Sequence, residues 1–241
     1  MHYWKHGREA TPAMSFGSAV HCLILEPEKF GQRYFVFDER ERPEPDKDFR
    51  IKTNREWKAG IYESNPGKKF ITLDDYKRAE AMRDNCMAIP AIREILTMPG
   101  EFESVHTWKD EEFGLPCKGI TDKWAPDGRI IADLKTCESA HPDKFTRDIF
   151  KYDYPLQAAF YTDGWKAKKY YIIAVENKAP HCPFLYLLDE DIIEFGRNRY
   201  RRYLKAIKDC NNMKRFPGYE YWLPAGTYSP EVPAWAERTF N

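Results

Sequence analysis

Apolar positions in the first hundred residues fall mainly into helical runs. Residues 15–26 (SFGSAVHCLILE) read as a helix that Ser15 can cap and Pro27 stops. Residues 74–88 read as a longer one, started by Asp74 or Asp75 and ended before Pro90, with a further helical turn or two before Pro99-Gly100. Between them, 33–37 (RYFVF) is β-like, and the charged stretch 38–50 with Pro43 and Pro45 reads as an exposed loop. The character then changes. Segments 102–109, 115–124 and 129–135 read as three strands, separated by the turn-forming KDEEFG and Pro126-Asp127-Gly128. Residues 141–150 and 155–168 look helical, 170–176 and 183–188 look like strands, and 189–209 is a long basic helix. The tail from 211 is aromatic and proline-rich, and is expected to lie over the surface. Helix, three-strand meander, helix and strand in that order predict an α/β fold with a mixed sheet. With no internal repeat or low-complexity block, residues 1–241 read as a single domain.

Composition narrows the class. A hydrophobic fraction of 42% with 15% aromatics indicates a folded protein rather than a disordered one. No apolar run approaches the roughly 20 residues of a membrane-spanning helix, and no basic-then-apolar export signal opens the chain. The expectation is a cytoplasmic protein with no membrane partner. The six cysteines are scattered without a C-x-x-C, which argues against a zinc ribbon or iron–sulfur cluster and for inert buried thiols. With 38 basic and 38 acidic residues the formal net charge is zero. That balance counts against nucleic-acid binding unless the positive charge is gathered on one face.

One constellation stands out. Asp127-Gly128 between two β-like runs is a hairpin signal, since both positions tolerate positive φ. A turn centred there places Asp122 directly opposite Asp133, with Cβ atoms roughly 5 Å apart. Facing carboxylates are unfavourable in a bare sheet and favourable around a divalent cation. Alternation then puts Ile131, Asp133 and Lys135 on one face. Mg²⁺ takes hard oxygen ligands, lowers the pKa of bound water and polarises a phosphate. A neighbouring lysine can orient the attacking water and neutralise the pentavalent phosphorus. Acidic-x-Lys triplets also occur at Glu56, Asp75 and Glu176, where they read as solvated faces. Only Asp133 combines a preceding apolar run with an acid in register on the partner strand.

These residues carry a family resemblance. Gly119-Ile-Thr-Asp122, then Ile131-Ala-Asp133-Leu-Lys135-Thr136, then Gln157-Ala-Ala-Phe-Tyr161 resemble the RecB-like branch of the PD-(D/E)XK nucleases. Gly17-Ser-Ala-Val-His21-Cys-Leu-Ile-Leu-Glu26-Pro27 looks like the helix carrying that branch's metal-binding histidine. With Glu103 ahead of Trp108 and the closing Trp222…Pro233-Ala-Trp235, the pattern is most similar to the nuclease domains of exodeoxyribonuclease VIII (RecE) and its prophage relatives, over roughly residues 10 to 238. The resemblance implies a restriction-endonuclease-like core with a central mixed β-sheet flanked by helices. It makes Asp122 and Asp133 the main metal ligands, completed by the Leu134 carbonyl and His21, with Glu103 near a second metal or its waters and Lys135 as catalytic lysine. Glu101, two residues away on the same strand face, competes for the Glu103 role. Gln157 and Tyr161, at i and i+4 on one helix face, would contact DNA backbone or steady Lys135.

The implied activity is Mg²⁺-dependent hydrolysis of DNA, with Mn²⁺ as a substitute. It would be 5′ to 3′ and exonucleolytic on double-stranded ends, within phage-type recombination in a bacterial host cell. Homo-oligomeric rings and a single-strand annealing protein are the partners the resemblance implies. Relatives usually carry a segment before the His21 helix, so a truncated or processed start is expected. On the basic helix, Arg197, Arg201, Lys205 and Lys208 form one stripe that could track phosphates, and Lys166, Lys168 and Lys169 form a second basic knot. The alternative is a nuclease-like fold that holds DNA without cutting, or cuts it internally. Retention of both Asp133 and Lys135 argues for an active enzyme.

Overall fold

The computed structural model describes residues 11–218. The first helix, α1 (Pro12–Leu25), has Thr11 rather than Ser15 as its cap, because the Thr11 hydroxyl accepts the Met14 N–H and Pro12 opens the first turn. A short helix α2 (Pro27–Arg33) leads into β1 (Tyr34–Phe37). Residues 51–72, for which the sequence pattern gave no element, form α3 (Lys52–Ser64) and β2 (Lys69–Thr72), and β2 pairs in parallel with β1. Helix α4 (Leu73–Ala88) is capped by Thr72, not by either aspartate; Asp74 and Asp75 occupy its first turn, where the helix dipole favours them. Helix α5 (Pro90–Thr97) follows.

The main sheet then runs β3 (Glu101–Lys109), β4 (Pro116–Ala125) and β5 (Ile130–Cys137), crosses over through α6 (Pro142–Lys151) and α7 (Tyr154–Trp165), and continues with β6 (Lys169–Glu176) and β7 (Pro183–Leu188) before α8 (Glu190–Met213). Its order is β3-β4-β5-β6-β7. Only β5 and β6 are parallel, as the long crossover between them requires, so the sheet is mixed as expected. Ala132, Leu134, Ile173 and Val175 face one core with α1, α4 and α5. Ile131, Ile172 and Ala174 face the other with α6, α7 and α8. The sheet is therefore sandwiched between two helical layers. The layer of α7 and α8 is tight: a Cβ on Gly196 would come within 1.8 Å of the Pro155 carbonyl oxygen.

Two details of the hairpin differ from expectation. Its loop is four residues long, closed by Arg129 N–H to the Pro126 carbonyl, and the positive φ falls on Arg129 rather than on Asp127 or Gly128. The expected register holds, with Lys123↔Ala132, Trp124↔Ile131 and Ala125↔Ile130 paired, but the ladder stops there. Asp122 and Asp133 are the next positions in that register, just beyond the last ladder pair. None of the described helices is long and apolar enough to cross a membrane. Trp222, Pro233 and Trp235, and most of the tail expected over the surface, lie outside the described residues.

Candidate active site

The site forms where β3 and β4 change faces together. Phe102 packs into the α1 core, whereas His106 and Trp108 pack against Trp165 in the other. Regular alternation would keep these three even-numbered residues on one face. In β4, a Cβ on Gly119 would meet Tyr161 and Trp165, while the Lys123 ammonium lies over the Phe102 ring on the opposite side. The pairing Phe102↔Lys123 and Ser104↔Thr121 brackets the irregularity at Glu103 and Asp122. Glu103 has φ +50°, a left-handed conformation unusual for a strand residue. Asp122 thus sits where the ladders on both of its sides are interrupted.

Freed from the ladder, the Asp122 carboxylate takes a backbone role. Its Oδ2 accepts the Leu134 N–H at 2.7 Å, satisfying a donor that the missing β4 carbonyl leaves open. His21, half-buried on α1, brings Nδ1 to 3.6 Å from the same Oδ2. Ligand atoms of His21, Glu103 and Asp122 all lie within 4.8 Å of one another. Octahedral Mg²⁺ with ligands at about 2.1 Å separates neighbouring donors by about 3 Å and opposite ones by about 4 Å. Two carboxylates and one imidazole suit a divalent cation, and the three donors lie close enough together to hold one. Glu101, the competing acid, is turned to the Ser104 hydroxyl.

Asp133 joins a different network. It is 3% exposed, forms an ion pair with Lys135, and its Oδ1 accepts from Gln157 Nε2 at 3.0 Å. Gln157 Oε1 in turn accepts from Lys135 Nζ at 3.3 Å. The carboxamide therefore closes a ring with the acid and the lysine, and the Tyr154 ring lies 5.0 Å beneath the ammonium. Tyr161 packs on Trp165 and Phe160, close to Gly119, instead of reaching this ring.

The electrostatics favour a cation. Desolvation, then repulsion from Asp133, holds the Asp122 carboxyl well above the usual carboxylate range, against the Leu134 hydrogen bond. Glu103 is raised by partial desolvation and by Glu26, a buried acid paired with Lys29 and Arg33. Burial lowers His21, which leaves a neutral imidazole with a lone pair available near pH 7. Burial also opposes the charge on Lys135, but Asp133 outweighs it and raises the ammonium's pKa. An open cleft of about 750 Å³ leads to the group, with His21, Glu103, Arg33, Lys69 and Thr136 in its walls. Arg33, Lys69 and Tyr154 carry no motif, and sequence reasoning did not single them out; only the fold brings them here.

The basic stripe of α8 lies elsewhere. Arg197 is 16% exposed, and each of its guanidinium nitrogens points at a carboxylate of Asp163, Glu190 or Glu194. Arg201 lies 3.6 Å from Glu112, and Lys205 pairs with Asp209. Arg197 and Arg201 line a larger cleft of about 1270 Å³ in which acids and bases alternate. Neither belongs to the group around Asp122.

Over residues 1–221 the sequence matches the family described as a PDDEXK-like domain of unknown function (DUF3799). It matches no curated protein. Among solved structures, a "putative exonuclease" from Eubacterium rectale shares the fold at 15% identity and a TM-score of 0.61, covering 98% of this chain and 82% of its own. A "phage related exonuclease" from Haemophilus somnus 129PT, at 11% identity, covers 68% of this chain and 85% of its own with a TM-score of 0.40.

Proposed function

This chain belongs to the PDDEXK-like DUF3799 family, and from that membership we propose that it is a metal-dependent deoxyribonuclease, most simply an exonuclease on double-stranded ends. The observation that supports the reading best is the juxtaposition of His21, Glu103 and Asp122 with the ring of Asp133, Lys135 and Gln157. His21, Glu103 and Asp122 are the residues that would hold Mg²⁺ or Mn²⁺. Asp133, whose charge acts on both His21 and Asp122, adds to the attraction for a cation. The ion would supply a water of lowered pKa and polarise the scissile phosphate.

The chain's own groups do the rest. Lys135, held by Asp133 and Gln157, presents an ammonium to the attacking water and to the charge that develops on phosphorus. Gln157 fixes the direction of both partners, and the Leu134 N–H fixes that of Asp122. Polarity 5′ to 3′, ring assembly and an annealing partner come with the RecE-like resemblance and complete the proposal. Arg197 and Arg201 are assigned a structural role in α8 rather than contact with DNA, because carboxylates already engage them.

The deciding experiment incubates linear and closed-circular duplex DNA with the protein, in Mg²⁺ or in EDTA. Loss of linear DNA alone, abolished by EDTA and by Asp122→Ala, is expected. Cutting of closed circles would favour an endonuclease. Survival of both substrates with folded protein would overturn the enzyme reading.

A further inference from the structure

Immediately beside the metal-compatible group lies a buried charge with no part in it. Lys123 follows Asp122 in β4 and is 1% exposed, yet among the described residues it forms no ion pair. Its Nζ donates to the Met98 carbonyl at 2.6 Å and lies 4.1 Å from the centre of the Phe102 ring. Met98 is the residue that ends α5, so the ammonium also meets the negative end of a helix. Phe102 precedes Glu103 in β3 and is the cross-strand partner of Lys123. One ammonium therefore joins three elements: β4 just after Asp122, β3 just before Glu103, and the end of α5.

A buried ammonium is unfavourable unless its donors and charge are met, and an apolar chain of the same length would fill the space without that penalty. Such groups are often kept where they specify one arrangement over others. Here the arrangement needing support is plain. At Glu103 and Asp122 both strands switch faces and their pairing is interrupted, so backbone hydrogen bonds do not hold the two acids in place. The cation–π contact and the Met98 hydrogen bond brace the strands at the next position.

We propose that Lys123 is a positioning residue for the metal-binding group, clamping β3 to β4 through Phe102 and Met98 so that Glu103 and Asp122 converge on His21. The proposal rests on the reading of that group as a metal site, and the test separates the two. The protein is compared with Lys123→Met, which keeps the stem but loses donor and charge, with Phe102→Leu, which removes only the ring, and with Lys123→Arg, which keeps a donor. Two quantities are read: Mn²⁺ affinity by calorimetry, and exchange of the Leu134 amide, the proton held by Asp122, in metal-free protein by NMR. Lys123→Met is expected to weaken Mn²⁺ binding about tenfold or more. It should also speed Leu134 exchange about tenfold relative to the amides of β6, with Lys123→Arg recovering part of both. General loosening of the fold would speed the β6 amides equally and would overturn the clamp, as would wild-type Mn²⁺ affinity and Leu134 protection in Lys123→Met. If Lys123→Met does not fold, Phe102→Leu decides by the same two readouts. If the unaltered protein binds no Mn²⁺, the metal reading fails, and Leu134 exchange alone decides whether Lys123 positions Asp122.

Discussion

The Asp122 carboxylate accepts the Leu134 N–H at 2.7 Å, across the gap where the β4–β5 ladder has stopped. One side chain thereby replaces a missing backbone acceptor and remains beside His21. Desolvation and Asp133 raise its pKa, so the folded protein favours the protonated carboxyl. The stability this group contributes is present below the ordinary carboxylate value of 3.8 and is lost as pH rises through the raised folded value. Asp122→Asn keeps an acceptor for Leu134 and carries no charge. In EDTA it should melt at a higher temperature than the unaltered protein near pH 7.5, with the gain fading as pH falls toward 3.8, while nuclease activity is lost. An unchanged melting temperature at pH 7.5 would refute the repulsion.

Gln157 tests the second network. Gln157→Leu leaves Asp133 Oδ1 without its donor, and a buried unpaired acceptor costs about 1–3 kcal/mol. Urea denaturation should show that loss. Single-turnover cleavage should slow by about 10- to 100-fold, typical of a lost orienting contact, with metal affinity little changed because Gln157 lies outside the His21–Glu103–Asp122 group. A drop in metal affinity equal to the drop in rate would count against this division.

Binding of a divalent cation should stabilise the fold. At a concentration about 100-fold above Kd the gain is about 2.7 kcal/mol for a single site. Thermal scans in Mg²⁺ against EDTA should show it, and His21→Ala should remove most of it. Equal melting temperatures in the two buffers would argue that the donors hold no ion.

Glu103 sets stability against function. Its φ of +50° costs on the order of 1 kcal/mol or more for a residue with a Cβ, and its carboxyl is repelled by Glu26 and Asp133. Glu103→Gly should therefore raise stability by about 1 kcal/mol while weakening Mn²⁺ binding and cleavage. Chemical denaturation and calorimetry on one preparation would check both, and a destabilised variant would contradict the account.

Much of this was legible in residues alone. Strand-type runs bounded by turn residues located all five strands of the main sheet, and the hairpin about residues 127–128 gave the observed register. What alternation could not show is its own failure at Glu103 and Asp122. A face switch depends on φ at one residue and on what packs behind it, neither of which spacing encodes. The hairpin register and the resemblance put Asp133 in the metal group; in the structure His21, Glu103 and Asp122 lie together, and Asp133 pairs with Lys135 and Gln157 beside them. Strand β2 is hidden from spacing because Lys69–Thr72 is four residues long and gains its partner, β1, only through α3. Helical spacing allows the Arg197 stripe to track phosphates, but it cannot show Asp163, which reaches Arg197 from α7.

The residues of the candidate site come from distant parts of the chain. Asp122 and Leu134 lie 12 residues apart, and Asp133 and Gln157 lie 24 apart, but His21 is about a hundred residues upstream on another layer. Contacts spanning so long a loop tend to close late, after local strand and crossover contacts have formed. An ion bridging His21 to Asp122 would then stabilise the native state more than the folding transition state. Stopped-flow kinetics should show Mg²⁺ slowing unfolding while refolding proceeds at nearly the metal-free rate, so the bound ion would govern how long the domain persists rather than how quickly it forms.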